Sequence, residues 1–441
     1  MTNRASLLKR VISSTDGIPP SVKLSKHLKM AGSPFVFFRG TAPLYYQDLA
    51  DGTLTVPDGL CRLPLTSIMG DCHASNFGFL TEEGSHGDTI IFAPNDFDDA
   101  CVGYAQWDLI RFLVSLYLVQ DHCQGVQEQR YPLDSPNPAK PAITTTQTDA
   151  AMQAFLSAYN TVCNDVISDP ATLYQALDKP ATGKLAKHYR KAVRRAAGGS
   201  DFTTKSALAK AVHMREDGLS FRHIPDKLVP LPASQYKALH GAFSPYMDDA
   251  VVDIIARKQA GTGSVNLERY YFLVGPAKPH NEDSFAHCHI VEVKQQREAA
   301  PLACFSDLNP VNRLNPAHLT ARCQRRMQRR PDLLLDEVEW QEKHWLIRSR
   351  HHAKVGLDPE DVGIGNKAVD GGFAAFATWC GQALALAHCR GDRRSTRFAS
   401  HVAELLPDCQ SPLIETASTY AQQVIDDHQW FVESLRSTKP A

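Results

Sequence analysis

Asp71, His73 and Asn76 fall within six positions of GDCHASNFG (70–78), between the apolar LPLTSIM and the polar TEEGSHGD. Asp and Asn are weak strand and helix formers, so local propensity does not call for them. Their oxygens do suit hard divalent cations and proton transfer. NDFDDA (95–100) follows and adds Asp96 and Asp98. If the apolar runs 61–69 and 89–93 are strands flanking a turn at 81–88, the hairpin carries Asp71, Asn76 and Asp96 to one end. Two carboxylates and an amide gathered there suit a base beside a Mg2+ site, because Mg2+ takes few protein oxygens and shares substrate phosphates. Asx turns capping the strands are the structural alternative.

Two later features carry weaker chemical signals. The turn AGTGSV (260–265) offers Gly261 and Gly263, whose backbone N–H groups can approach a phosphate, and Lys294 on a following strand can neutralise it. Taken alone, these read as an ordinary turn and an exposed strand lysine. His287 and His289 form an HxH pair near Asp283, but no Cys or third His stands at metal-site spacing, which favours a structural role. Arg39 of FFRG and Arg222 of SFRHIPDK can anchor an acidic acceptor, with a structural ion pair as the alternative.

The elements that must position these residues are mixed. WDLIRFLVSLYLVQ (107–120) is apolar on nearly every face and predicts a central buried helix. Helical patterns run from about 146 to 215, broken at GGS (198–200), and again from 372 onward. Between them, 251–275, 287–300 and 339–350 read as extended. In the second of these, His289, Val291 and Val293 face one way while Ile290, Glu292 and Lys294 face the other. The expected class is α+β: 1–245 and 351–441 mainly helical, 246–350 a small β-rich unit.

The bulk composition narrows the setting. With 441 residues, 43% hydrophobic, and a formal net charge of −1, the chain has material for a large core and no bulk charge favouring nucleic acid or membrane. The basic runs 184–195 and 322–330 read as solvated helix faces. Eleven Cys without a CxxC pair argue against a disulfide framework or structural zinc. No segment nears the ~18 apolar residues of a membrane span, and the start lacks a secretory core, so a cytoplasmic location is expected.

GDCHASNFG resembles the catalytic loop of aminoglycoside and choline kinase-like phosphotransferases, and NDFDDA resembles their metal-binding segment. ACVGYAQWDLIRFL is similar to the stretch that follows, in which Asp108 would be structural, and GQALALAHCRGD to the helix that runs ahead of the loop. FFRG, GDCHASNFG, NDFDDA, QWDLIRF and LALAHCRGD, in this order, are similar to the bacterial family called domain of unknown function 2252, over nearly the whole chain. The resemblance implies a protein kinase-like, two-lobed fold. Since Gly261, Gly263 and Lys294 come after the loop, it implies a circularly permuted one.

It also implies an ATP- and Mg2+-dependent phosphotransferase acting on a small molecule or protein acceptor. Asp71 would be the catalytic base and His73 a support of the loop; Asn76, Asp96 and Asp98 would hold Mg2+, and Lys294 would meet the phosphates under Gly261 and Gly263. A nucleotide-binding scaffold without turnover, nucleotidyl transfer and a metal-dependent phosphoesterase are the other readings. Met69 stands where the pattern often has His, and Lys294 has no evident acidic partner: Glu298 is near in sequence, and the stretch 318–329 offers Arg.

Overall fold

WDLIRFLVSLYLVQ forms the middle of a helix, Ala105–Gln127, buried on nearly every side. A helix without a polar face must be surrounded, and here the helices Thr145–Ser168, Phe373–Gly391 and Arg397–Ser437 share one large apolar core with it. Phe112 stacks on Phe155 with ring centroids 4.2 Å apart. Each such side chain contributes about 1.5–3 kcal/mol by leaving water. The N-terminal aromatics Phe35, Phe37, Phe38, Tyr45 and Tyr46 complete this core. The structure, a computed structural model, describes residues 4–133, 139–180, 182–215, 218–258, 267–277, 282–392 and 395–437.

Short strands line one side of this helical part. β1 (Thr66–Ile68) pairs antiparallel with β4 (Cys101–Gly103). Between them, β2 (Phe77–Thr81) and β3 (Ile90–Pro94) form a hairpin about the turn at 81–88; its first strand follows the GDCHASNFG loop, whereas the run 61–69 supplies β1 and pairs with β4 instead.

A separate set of strands carries the second part. β5 (Val212–Arg215) and β6 (Gly218–Phe221) form a small hairpin. β7 (Leu228–Val229), β8 (Ala250–Arg257), β9 (Arg269–Gly275), β10 (His289–Gln295), β11 (Asp336–Trp340) and β12 (Lys343–Ser349) build one antiparallel sheet, curled into a half-barrel, in the order β11-β12-β10-β9-β8-β7. β13 (Val355–Gly356) then returns to pair with β2. The architecture is α+β.

The sheet alternates as period-2 strands must. Phe272, Val274, Val291, Val293, Trp345 and Ile347 pack beneath Leu239 and Phe243 of the helix Ala233–Phe243. Tyr271, Leu273 and Ile290 face the other way, against Phe202, Leu208, Leu219 and Phe221. Beyond Ile290 on that face stand Glu292 and Lys294, as the alternation predicts. The helix Pro316–Met327 joins the two parts: Leu319, Cys323 and Met327 enter the large core, while Ala317 and Ala321 pack on Leu335 and Leu346 of the sheet side.

The segment 339–350, read from sequence as one extended stretch, is a hairpin turning at Gln341 and Glu342. Gly261 and Gly263 lie outside the described residues. All eleven Cys are free, and no described helix is long and apolar enough to cross a membrane.

Candidate functional site

The loop GDCHASNFG is held from beneath by Asp108, which is fully buried in the helix Ala105–Gln127. Asp108 Oδ2 accepts from Met69 N (2.7 Å) and Oδ1 from Gly70 N (3.1 Å). Its Oδ2 also lies 3.1 Å from Nε2 of His388, whose Nδ1 meets Tyr159 Oη at 2.8 Å. Thr66 Oγ1 in β1 donates to the His388 carbonyl, and a Cβ on Gly391 would stand 2.1 Å from that hydroxyl. LALAHCRG thus seats its helix on the strand that leads into the loop. Gly70 has φ +74°, and a Cβ there would meet the Asp99 carbonyl oxygen at 1.9 Å, so only glycine fits.

Above this support, Asp71 faces a cavity. Arg111, fully buried, donates to its Oδ1 from Nε (2.9 Å) and Nη2 (2.5 Å). Nη2 also donates to the Phe38 carbonyl, and the guanidinium lies over the Phe38 ring at 4.1 Å. Asp71 Oδ2 is 3.6 Å from Nε2 of His73. Burial, with Arg39 and Arg111 nearby, holds the His73 imidazole neutral, well below its ordinary value. Asn76 closes the loop by donating from Nδ2 to the Asp71 carbonyl (2.8 Å), which leaves its side-chain oxygen as the acceptor atom.

NDFDDA meets the sheet at this point. Lys294 donates to Asp98 Oδ2 in a close ion pair, and Arg348 Nη1 lies 3.4 Å from Asp98 Oδ1. Arg348 also bonds Glu292 (3.0 Å), which pairs with Arg269 as well (3.1 Å). Lys294 therefore has its acid in Asp98, while Glu298 is exposed. Asp99 accepts two bonds from Arg297 (2.7 and 3.0 Å) and one from Ala300 N.

The two neighbouring carboxylates differ in kind. Burial alone would raise Asp98, but Lys294 and Arg348 outweigh it and hold the carboxyl well below the usual range. Asp96 has no ion pair among the described residues, and burial together with the Asp98 charge pushes it up. Burial likewise lowers Lys294, offset in part by Asp98.

These groups line one cavity of about 410 Å3, where ten Lys and Arg side chains face five carboxylates. Asp71, His73, Asn76, Asp96, Asp98 and Lys294 all reach it. Arg39 does too; its buried Nε has no hydrogen-bond partner, and it forms no ion pair among the described residues. Arg222 is exposed and outside the cavity. The basic runs are not only solvated faces: Arg195 points into the cavity with its Nε unpaired, and Arg329 pairs with buried Glu82. His287 is exposed ahead of β10, whereas His289 turns to His86 and Asp248.

Sequence reasoning missed Arg111, Arg269 and Arg348, and gave Glu292 a strand face but no role. Arg111 was legible as the one Lys or Arg inside an apolar helix. The others needed the strand register, which sets Arg269 opposite Lys294 and Arg348 opposite Glu292.

The acid pocket makes stability pH-dependent. Burial would raise Glu292, but Arg269 and then Arg348 outweigh it and hold it at about 2, against an ordinary 4.5. A lowered carboxylate stabilises the fold fully above the ordinary value and loses that contribution as pH falls through the lowered one. Denaturant unfolding should therefore show roughly 3 kcal/mol of Glu292-dependent stability fading as the pH drops from about 4.5 to about 2. An equally steep loss in Glu292→Gln would show that other groups carry it.

The model of a family described as "Uncharacterized protein conserved in bacteria (DUF2252)" matches residues 19–434. No curated protein and no solved structure matches the chain.

Proposed function

The chain belongs to this bacterial family, and from that premise and the geometry above we propose that it is an ATP- and Mg2+-dependent phosphotransferase with a hydroxyl or amine acceptor. The observation that carries this reading is the meeting of Lys294 with the acids of residues 96–98, almost two hundred positions earlier, in one cation-rich cavity. Its two parts are the lobes of a kinase-like fold in permuted order. Two contacts support that order: β10 reaches the acidic segment, and the last turn of the helix Phe373–Gly391 seats on the strand before the loop through the His388 carbonyl.

The residues fit a hard divalent cation. Asp96 is a half-buried carboxylate with no ion pair among the described residues, and the free side-chain oxygen of Asn76 lies in the same cavity. Asp98, already paired with Lys294 and Arg348, is the weaker ligand. When bound, Mg2+ would neutralise phosphate charge and align the transferring group. Lys294, Arg269 and Arg348 would hold the remaining phosphate oxygens. Asp71, fixed by Arg111, would orient the acceptor and take its proton from a set position.

Thermal unfolding with ATP, with and without Mg2+, tests the reading, because a ligand that binds only the folded state must raise its stability. A Mg2+-dependent shift of a few degrees is expected in the native protein, lost in Asp96→Asn and in Lys294→Ala. No Mg2+-dependent shift at saturating nucleotide would overturn it.

A further inference from the structure

Outside the cavity, two imidazoles and a carboxylate from three separate segments converge. His86 sits in the β2–β3 turn, Asp248 just ahead of β8, and His289 at the start of β10. One ligand atom from each lies within 4.8 Å of the others. Asp248 offers one oxygen to each histidine: Oδ1 is 3.0 Å from His289 Nε2, and Oδ2 meets His86 Nε2. The two rings stand 5.0 Å apart. His289 is 8% exposed, and its Nε2 makes no aligned hydrogen bond despite the nearby oxygen. A buried ring nitrogen without a bond, aimed at a carboxylate and a second imidazole, is unsatisfied as a polar group and well placed as a ligand.

We propose that His86, Asp248 and His289 bind one divalent first-row transition ion of the zinc type, fastening the β2–β3 turn to the sheet. Two nitrogens and one oxygen suit zinc and its neighbours, whereas Mg2+ and Ca2+ prefer oxygen alone. Three protein ligands leave the fourth position to water. His86 and Asp248 are exposed, which gives the ion a path from solvent.

The turn is already seated for this role. Ser85 N donates to Ser349 Oγ (2.8 Å), Ser85 Oγ donates to the Arg350 carbonyl (3.2 Å), and Glu83 N donates to the Arg330 carbonyl (3.1 Å). Ser349 to His352 then run along the cavity wall, so an ion at His289 would steady the side of the site from which Arg348 and Arg350 project. The inference does not depend on the phosphotransferase reading.

Titrating metal-free, full-length protein with Co2+, then displacing it with Zn2+, tests the site. One Co2+ per chain is expected, with the visible ligand-field absorption of a four-coordinate ion. His86→Ala and Asp248→Asn should weaken binding at least tenfold, a loss of about 1.4 kcal/mol, whereas Asp96→Asn, in the separate acid pocket, should leave it intact. His86 lies in an exposed turn, so its variant keeps the test readable even if His289→Ala does not fold. The proposal is overturned if Co2+ does not saturate at one site, if His86→Ala binds as well as the native protein, or if Asp96→Asn alone removes the signal.

Discussion

Asp71→Asn should lower ATP consumption by a factor of about 10²–10⁴, the usual contribution of a positioned acid or base, while Mg2+-dependent nucleotide binding persists. The substitution is chosen for what it keeps. The amide oxygen of Asn still accepts from Arg111 Nε and Nη2, and Arg111 retains the Phe38 carbonyl and ring. The bond from Asn76 goes to the backbone oxygen of residue 71, so it is untouched. What disappears is the second carboxylate oxygen, the one open to the cavity beside His73. ATP consumption and thermal shift, measured on the same preparation, divide the outcomes. Consumption lost with binding kept identifies Asp71 as the group acting on the acceptor. Binding in both proteins with no consumption in either identifies a nucleotide-binding scaffold. Unchanged consumption removes Asp71 from the chemistry.

Asp108→Ala should cost about 3–5 kcal/mol of stability, read as a shift of the denaturant midpoint. Asp108 is fully buried and serves three groups: the amides of Met69 and Gly70 and the His388 ring. Alanine leaves all three without an acceptor in a site too enclosed for water to replace it readily. The same change frees the loop that carries Asp71, so activity should fall beyond what lost stability explains. Asp108→Asn keeps one acceptor oxygen and should fall between the two. A midpoint within about 0.5 kcal/mol of the native protein would mean that the loop is held by other contacts.

Much of this arrangement was legible in the sequence, for identifiable reasons. Alternation along residues 289–294 assigned Glu292 and Lys294 to one face of a strand because a pleat has a strict period of two. The apolar wrap of residues 107–120 required a central helix. Other features were hidden. The β11–β12 turn uses Gln341 and Glu342, both at positive φ (51° and 57°), where Asn-Gly is the usual signal; without it the hairpin reads as one strand. The partner of Lys294 could not be read locally because Asp98 comes 196 positions earlier, and only the folded sheet brings them together.

The reach of those contacts bears on how the protein is made. Asp108 leaves the ribosome 280 residues ahead of His388, and Asp98 almost two hundred ahead of Lys294. During synthesis the nascent loop therefore lacks both its rear brace and the cation facing it. The helix Thr145–Ser168 likewise waits for Phe373–Gly391 to cover it. Non-local contacts of this kind slow folding and leave apolar surface open to association until the chain is nearly finished. Assembly of the site is consequently a late event, and a ribosome that stalls before the last helices releases a chain with every acidic residue of the cavity and no fixed place for them.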